Sequence, residues 1–342
     1  MRILVTGCAG FIGYHTTLLL LKKNYNVIGI DNLNNYYDPK LKKDRLKEII
    51  KYSIQLKRKF NFIKLDICSY KNLDKVFKKY NFDYVIHLAA QAGVRYSIKN
   101  PKAYLDTNIN GFFNILELSK KIKVKHLVYA STSSVYGANE NFPLSEKKIA
   151  DHPIQFYAAT KRSNEIMAHS YSSLYNLPST GLRFFTVYGP WGRPDMALYI
   201  FTKNIINKKE IELFNYGNHM RSFTYIDDIT NGIYRSMIAI PKVNKKWNNK
   251  NPDPSSSNCP YRILNLGNNK TESLKKYLKY IEIYTGKRSR IKNKKIQLGD
   301  IVKTQASLIK AKKEINFTPK VSIKEGIKKF IEWYKLYNAK KK

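Results

Sequence analysis

The chain is expected to be an α/β protein: a doubly wound parallel sheet with a smaller C-terminal α/β lobe. Three observations lead there. Short apolar runs alternate with helical patterns through the first half. A glycine-rich turn joins the first run to the first helix. Past residue 190 this alternation gives way to turn-rich pieces between shorter elements.

Residues 2–6 form the first apolar run, and 11–21 carry the apolar pattern of a helix. The next strand, 27–30, ends on Asp31. Runs at 62–65, 84–88 and 126–130 repeat the theme, with helical stretches near 73–79 and 107–120, and 36–58 reads as a Lys-rich helical insertion. Strands separated by helices imply parallel pairing through right-handed crossovers. Later, 189–194, 215–219 and 251–260 are rich in turn residues. The expected division is a Rossmann domain over 1–188 joined by later returning segments, a substrate lobe mainly over 189–335, and a basic tail over 336–342.

Of 342 residues, 43% are hydrophobic and 13% aromatic, which excludes a disordered or fibrous chain. The formal charge of +37 first suggests a nucleic-acid partner. Only 12 of the 62 basic residues are Arg, however, and the 50 Lys are spread along the chain beside abundant Asn, Ile, Tyr and Phe. Base-reading sites lean on clustered Arg. The charge therefore reads as a bias toward A- and T-rich codons, and no nucleic-acid partner is expected. Cys8, Cys68 and Cys259 are too few and scattered for a disulfide framework or a zinc site. No leader and no apolar run near the ~18 residues of a membrane span is visible, so a soluble cytoplasmic protein is expected.

Thr6-Gly7-Cys8-Ala9-Gly10-Phe11-Ile12-Gly13 directly follows the first strand and opens a helix. Glycines at this spacing permit a tight turn, close approach of a pyrophosphate and close helix–strand packing, while the helix N-terminus faces the phosphates. Asp31, with Asn32 beside it, falls where an acceptor for a ribose diol belongs, and its charge favours NAD over NADP. Lys40, Lys42, Lys43 and Arg45 lie near enough in sequence to counter it. Asp66 and Ile67 are placed to touch an adenine ring, and Leu88, Ala89 and Ala90 offer a small-residue surface to the cofactor.

Tyr157 and Lys161 stand four residues apart, on one face of a helix. A free phenol titrates near ~10, and a neighbouring ammonium would bring it down toward service as a base. The run Ser131-Thr132-Ser133-Ser134-Val135-Tyr136-Gly137 follows the fifth strand, beyond whose carboxyl end ligands of such sheets bind. Asp227-Asp228 after Phe223-Thr224-Tyr225 reads as a helix start, and no metal is expected.

With these motifs the chain resembles the extended short-chain dehydrogenase/reductases, specifically the nucleotide-sugar epimerases and dehydratases, over residues 1–335. The stretches 31–39, 91–97 (Gln91-Ala92-Gly93-Val94-Arg95-Tyr96-Ser97), 189–196 and 252–262 carry the resemblance; Leu298, where Pro is usual, and Cys8 depart from it. The resemblance implies that Tyr157 is the base, Lys161 its electrostatic partner and a ribose ligand, and Thr132 the relay for the sugar 4-OH proton. It places Arg95 in the substrate region, with Arg193, Arg221 and Asp300 at the diphosphate and nucleoside of a UDP-sugar. It also implies a homodimer through helices near 107–120 and 157–175.

The implied reaction is NAD-dependent inversion of C4 of a UDP-sugar through a transient 4-keto intermediate. A uronate, UDP-glucuronate, is the first expectation, with UDP-glucose or an N-acetylhexosamine as the alternative; a non-catalytic dinucleotide-binding scaffold is the rival from another class. A 4,6-dehydratase would carry Asp and Glu directly after Thr132, where this chain has Ser133 and Ser134. Those serines and Thr186 are the candidates to orient a uronate carboxylate.

Overall fold

The computed structural model describes residues 1–297 and 299–339; Leu298 and residues 340–342 of the predicted tail lie outside the described residues. Its centre is a seven-stranded parallel sheet of β1 (Arg2–Thr6), β2 (Asn26–Asp31), β3 (Phe60–Lys64), β4 (Tyr84–His87), β5 (His126–Thr132), β6 (Ser179–Phe184) and β7 (Tyr261–Leu266). The spatial order is β7-β6-β5-β4-β1-β2-β3. Winding reverses between β1 and β4, so a crevice opens beyond their carboxyl ends, the place where open α/β sheets bind ligands.

Helices cover both faces, as parallel strands buried on two sides require. On one face lie α1 (Phe11–Lys22) and α2 (Pro39–Gln55), whose entry is fixed by Pro39 and by Asp38 accepting from Lys40 N. On the other lie α3 (Tyr70–Tyr80), α4 (Phe112–Lys121) and α5 (Phe156–Tyr175). The stretch expected as one helix near 107–120 is two pieces: a π-helical segment, Leu105–Gly111, runs into α4. Asn108 and Gly111 are buried in the wide turn, and the side chain of Asn108 hydrogen-bonds outside the helix, a competition that polar residues bring into helices. Wide turns of this kind recur at functional sites.

Two strands escaped the sequence reading, β6 and β7. β6 reads Ser-Thr-Gly-Leu-Arg-Phe and lacks an apolar run, yet every residue of it is buried. Its Arg183 is matched by Glu165 of α5, with Nε and Nη2 each 2.8 Å from a carboxylate oxygen. Ser131 of β5 donates to the same carboxylate at 2.6 Å and Arg162 at 3.0 Å. Burial would push the Glu165 carboxyl up, but Arg183, Ser131 and Arg162 together outweigh it and hold the group below its ordinary value.

Between and after these strands come three short ladders: Thr186–Tyr188 with Phe223–Tyr225, Glu210–Phe214 with Arg290–Lys294, and Met220–Arg221 with Glu272–Ser273. A helix over Ile226–Ile238, α6, begins at the predicted Asp227-Asp228 pair; Asp228 accepts from the backbone of Lys320 and Val321, a structural use. Among the described residues no helix is long and apolar enough to cross a membrane.

Breaking a buried pair strands the surviving charge and costs about 3–5 kcal/mol. Glu165→Gln is therefore expected to lower unfolding stability by about 3 kcal/mol in urea titration, and an effect no larger than that of an exposed pair would show that Arg183 finds another partner.

Candidate active site

A cleft of about 420 Å³ follows the carboxyl ends of β1, β2, β4 and β5 and is closed from the other side by residues 184–196, 221 and 299–304. At its floor the glycine turn brings backbone against backbone. Gly7 has a φ of +71° and lies under β4, where a Cβ would stand 2.8 Å from Ala89 N. A Cβ on Gly13 would stand 2.0 Å from Gly7 O. Neither position admits a side chain. The first turn of α1, entered from Gly10, therefore faces the cleft with its N–H groups free for phosphate oxygens. This cradle, with a carboxylate at its rim, suits the pyrophosphate and ribose of a dinucleotide.

That carboxylate is Asp31. It accepts from Ala9 N at 3.1 Å and Leu33 N at 2.8 Å, and burial holds it above its ordinary value. The neighbouring cations do not offer a ready 2′-phosphate site. Arg45 is fully buried and donates to Ala9 O, Tyr37 Oη, Trp191 O and Gly192 O. Lys42 lines the cleft with its ammonium on Asn34 O (2.7 Å) and Asn34 Oδ1 (2.6 Å).

The expected residues converge well. Gly7, Gly10, Phe11, Ile12, Gly13, Asp31, Asn32, Ile67, Leu88, Ala89 and Ala90 line the dinucleotide end. Thr132, Ser133, Ser134, Tyr157, Lys161, Thr186, Arg193, Arg221 and Asp300 line the other end. Asp66 and Arg95 are one step removed from the wall: Asp66 accepts from Asn32 Nδ2 at 2.8 Å, and Arg95 pairs with Asp300 at 3.2 Å over the ring of Phe214.

At the centre, Tyr157 in the first turn of α5 and Thr132, the last residue of β5, face the same cleft. Burial pushes the phenol above its ordinary value, and the groups that pull it back are Arg193 and Thr132. The guanidinium of the 189–196 loop is thus a second cation bearing on the phenol, beside the Lys161 to which the sequence pointed. Burial would discharge Arg193, but Asp195 outweighs this, gripping it at 3.0 Å (Nε) and 2.5 Å (Nη2). Tyr36 Oη donates to the same carboxylate at 3.1 Å. Lys161 is 1% exposed, and burial brings its ammonium down to about 7, opposed by Glu165. Arg221 is likewise brought down by burial, to about 10.

Residues missed by motif reading surround this core. Gln91, Asn108 and Asn164 form a buried amide cluster under Lys161, and Gln155 spans from the start of α5 to Gly299 O. A three-residue spacing from Lys161 to Asn164 was the only available signal.

The sequence profile described as the NAD dependent epimerase/dehydratase family matches residues 3–248. "Protein CapI" of Staphylococcus aureus is 50% identical over 340 residues, covering 99% of this chain and all of its own. A "Probable UDP-glucuronate 4-epimerase" of Rhizobium meliloti is 43% identical over 335 residues, covering 98% and 97%. The crystal structure of a Bacillus cereus UDP-glucuronic acid 4-epimerase with UDP-glucuronic acid and NAD superimposes with a TM-score of 0.85 at 33% identity, covering 98% of this chain and all of that one.

If Arg193 is what pulls the phenol down, Arg193→Met should raise the Tyr157 titration further, since a phenolate loses a cation that stabilises it. NMR titration of the tyrosine ring carbons would read this, and an unmoved or lowered Tyr157 would exclude Arg193 as the controlling charge.

Proposed function

We propose, from the premise that this chain belongs to the NAD-dependent epimerase/dehydratase family, that it inverts C4 of UDP-glucuronate to give UDP-galacturonate. The observation that carries the reading is the junction of β5 and α5. There Thr132, Ser133 and Ser134 line one cleft with Tyr157, Lys161 and Arg193. A hydroxyl relay, a phenol and two cations are what reversible oxidation of a secondary alcohol needs. Carboxylates able to eliminate water are lacking beside Thr132, so epimerisation fits and dehydration does not.

NAD, held by the glycine turn, Asp31 and the 88–90 strand end, supplies a reversible hydride acceptor and is restored in each cycle. Tyr157 takes the 4-OH proton through Thr132 as the carbon is oxidised, then returns it after the sugar has turned over. Lys161 and Arg193 provide the positive field that makes a phenolate attainable in a buried site. Arg193, Arg221 and Asp300 hold the UDP moiety, with Arg95 supporting Asp300; planar guanidinium forks suit phosphate oxygens. Residues 189–335 supply most of this lobe.

The 4-keto uronate is a β-keto acid and loses CO₂ if its carboxylate bond aligns with the ketone π system. Ser133, Ser134 and Thr186 orient that carboxylate with neutral hydroxyls. Two copies pair through the helical face that exposes Leu105, Phe113, Ile166 and Leu174, and the enzyme works in the cytoplasm, in keeping with three unpaired cysteines.

The deciding experiment is product identification by NMR with UDP-glucuronate, UDP-glucose and their N-acetyl relatives. C4 inversion of UDP-glucuronate is expected, with Tyr157→Phe slower by about 10²–10⁴-fold. Turnover restricted to a neutral sugar would move the reading to a hexose epimerase, and no turnover of any UDP-sugar would sink the enzyme reading. In the same assay Ser133→Ala and Ser134→Ala should raise the decarboxylated by-product or weaken uronate binding. Unchanged product ratio and affinity in both would remove the serines from carboxylate orientation.

A further inference from the structure

Among the described residues Lys161 has one hydrogen-bond acceptor, the side-chain oxygen of Asn164 at 2.9 Å. Asn164 lies three residues on along α5 and is itself fully buried. Its amide NH₂ donates to Asn108 O at 2.6 Å, inside the π-helical segment. Asn108 in turn is locked by its own side chain: Oδ1 accepts from Gln91 N at 2.9 Å, and Nδ2 donates to Gln91 O and to Thr160 Oγ1, both at 3.1 Å. Thr160 closes the loop by donating to Tyr157 O at 2.8 Å. The wide turn thus supplies a backbone carbonyl for a side chain of another helix. The amide of Asn164 is read in one sense only, because its NH₂ must serve the carbonyl and its oxygen the ammonium.

We propose that Asn164 is a positioning residue for Lys161, fixing the ammonium against the π-helical segment and keeping it charged in a site that would otherwise discharge it. The inference deepens the epimerase reading, and its role within catalysis rests on that reading. The physical need is plain. A lysine with almost no solvent contact loses the water that stabilises its charged form, and a neutral amine would leave the phenol of Tyr157 with less help. The titratable groups that bear on Lys161 are few. Glu165 on the same helix favours its charge but is shared among Arg183, Arg162 and Ser131. His87 on β4 is held neutral by burial and by Lys161 itself, and it hydrogen-bonds Thr6 Oγ1. Tyr157 sits one turn back on α5. None of these replaces the amide oxygen.

The sign of the effect follows from charge. The ammonium exists below the lysine pKa, so losing an acceptor lowers that pKa and gaining a carboxylate raises it. Asn164→Leu, similar in size but with neither polar atom, should bring the Lys161 titration down by about one pH unit. Asn164→Asp should carry it up by about one pH unit or more. Nitrogen NMR titration of the lysine amines in the chain without added cofactor reads this directly, with the Lys161 signal identified by its loss in Lys161→Met. The alkaline limb of kcat against pH should move in the same two directions. A merely structural asparagine would weaken both variants alike and move neither titration. Shifts of the same sign, or no shift in Asn164→Asp, overturn the proposal; should Asn164→Leu not fold, Asn164→Asp decides alone. The NMR titration decides this point whatever happens to UDP-sugar turnover, so failure of the epimerase reading remains a separate result.

Discussion

Everything chemical in this molecule depends on where α5 meets the sheet, and that meeting is set by a carboxylate buried where no water can reach it. Glu165 takes Arg183 from β6, Ser131 from β5 and Arg162 from its own helix. The geometry satisfies a group that would be intolerable alone. One turn toward the N-terminus along the same helix lies Lys161, and one further turn brings Tyr157 to Thr132 at the end of β5. The pair thus aligns two strands and the catalytic helix in a single electrostatic knot, which explains a polar, arginine-bearing strand in the interior of a sheet.

Much of this was legible in the residues themselves. The glycine turn, Asp31 and five strands were readable because backbone constraints and apolar alternation write directly into residue type. So was the convergence of Tyr157, Lys161 and Thr132, since strand ends in such sheets face one crevice. What stayed hidden depends on partners distant in sequence. β6 went unread because the stabilisation of Arg183 comes from a residue on another element. Asn108 and Asn164 looked like ordinary polar helix positions, and the wide turn that makes them partners has no local signature. Spacing pointed to Lys161 beside the phenol, and it had no means of adding Arg193, which comes to bear on it from a loop 36 residues further along the chain.

The cleft therefore separates two cationic tasks. Arg193, gripped by Asp195, comes from the 189–196 loop; Lys161, almost without solvent contact, comes from α5 and is held by Asn164. The large formal charge of the whole chain, spread along its lysines, has little to do with either.

Arg45 has a consequence for anyone wishing to change the cofactor. Exchange of Asp31 for a neutral residue is the obvious first step toward accepting a phosphorylated ribose, and α2 carries an arginine nearby that invites recruitment. That arginine is a rivet. It clamps Ala9 of the glycine turn to Trp191 and Gly192 of the substrate-side loop. Freeing it for a new ligand would loosen the joint between the two halves of the cleft, so redesign has to import a new cation and leave Arg45 in place.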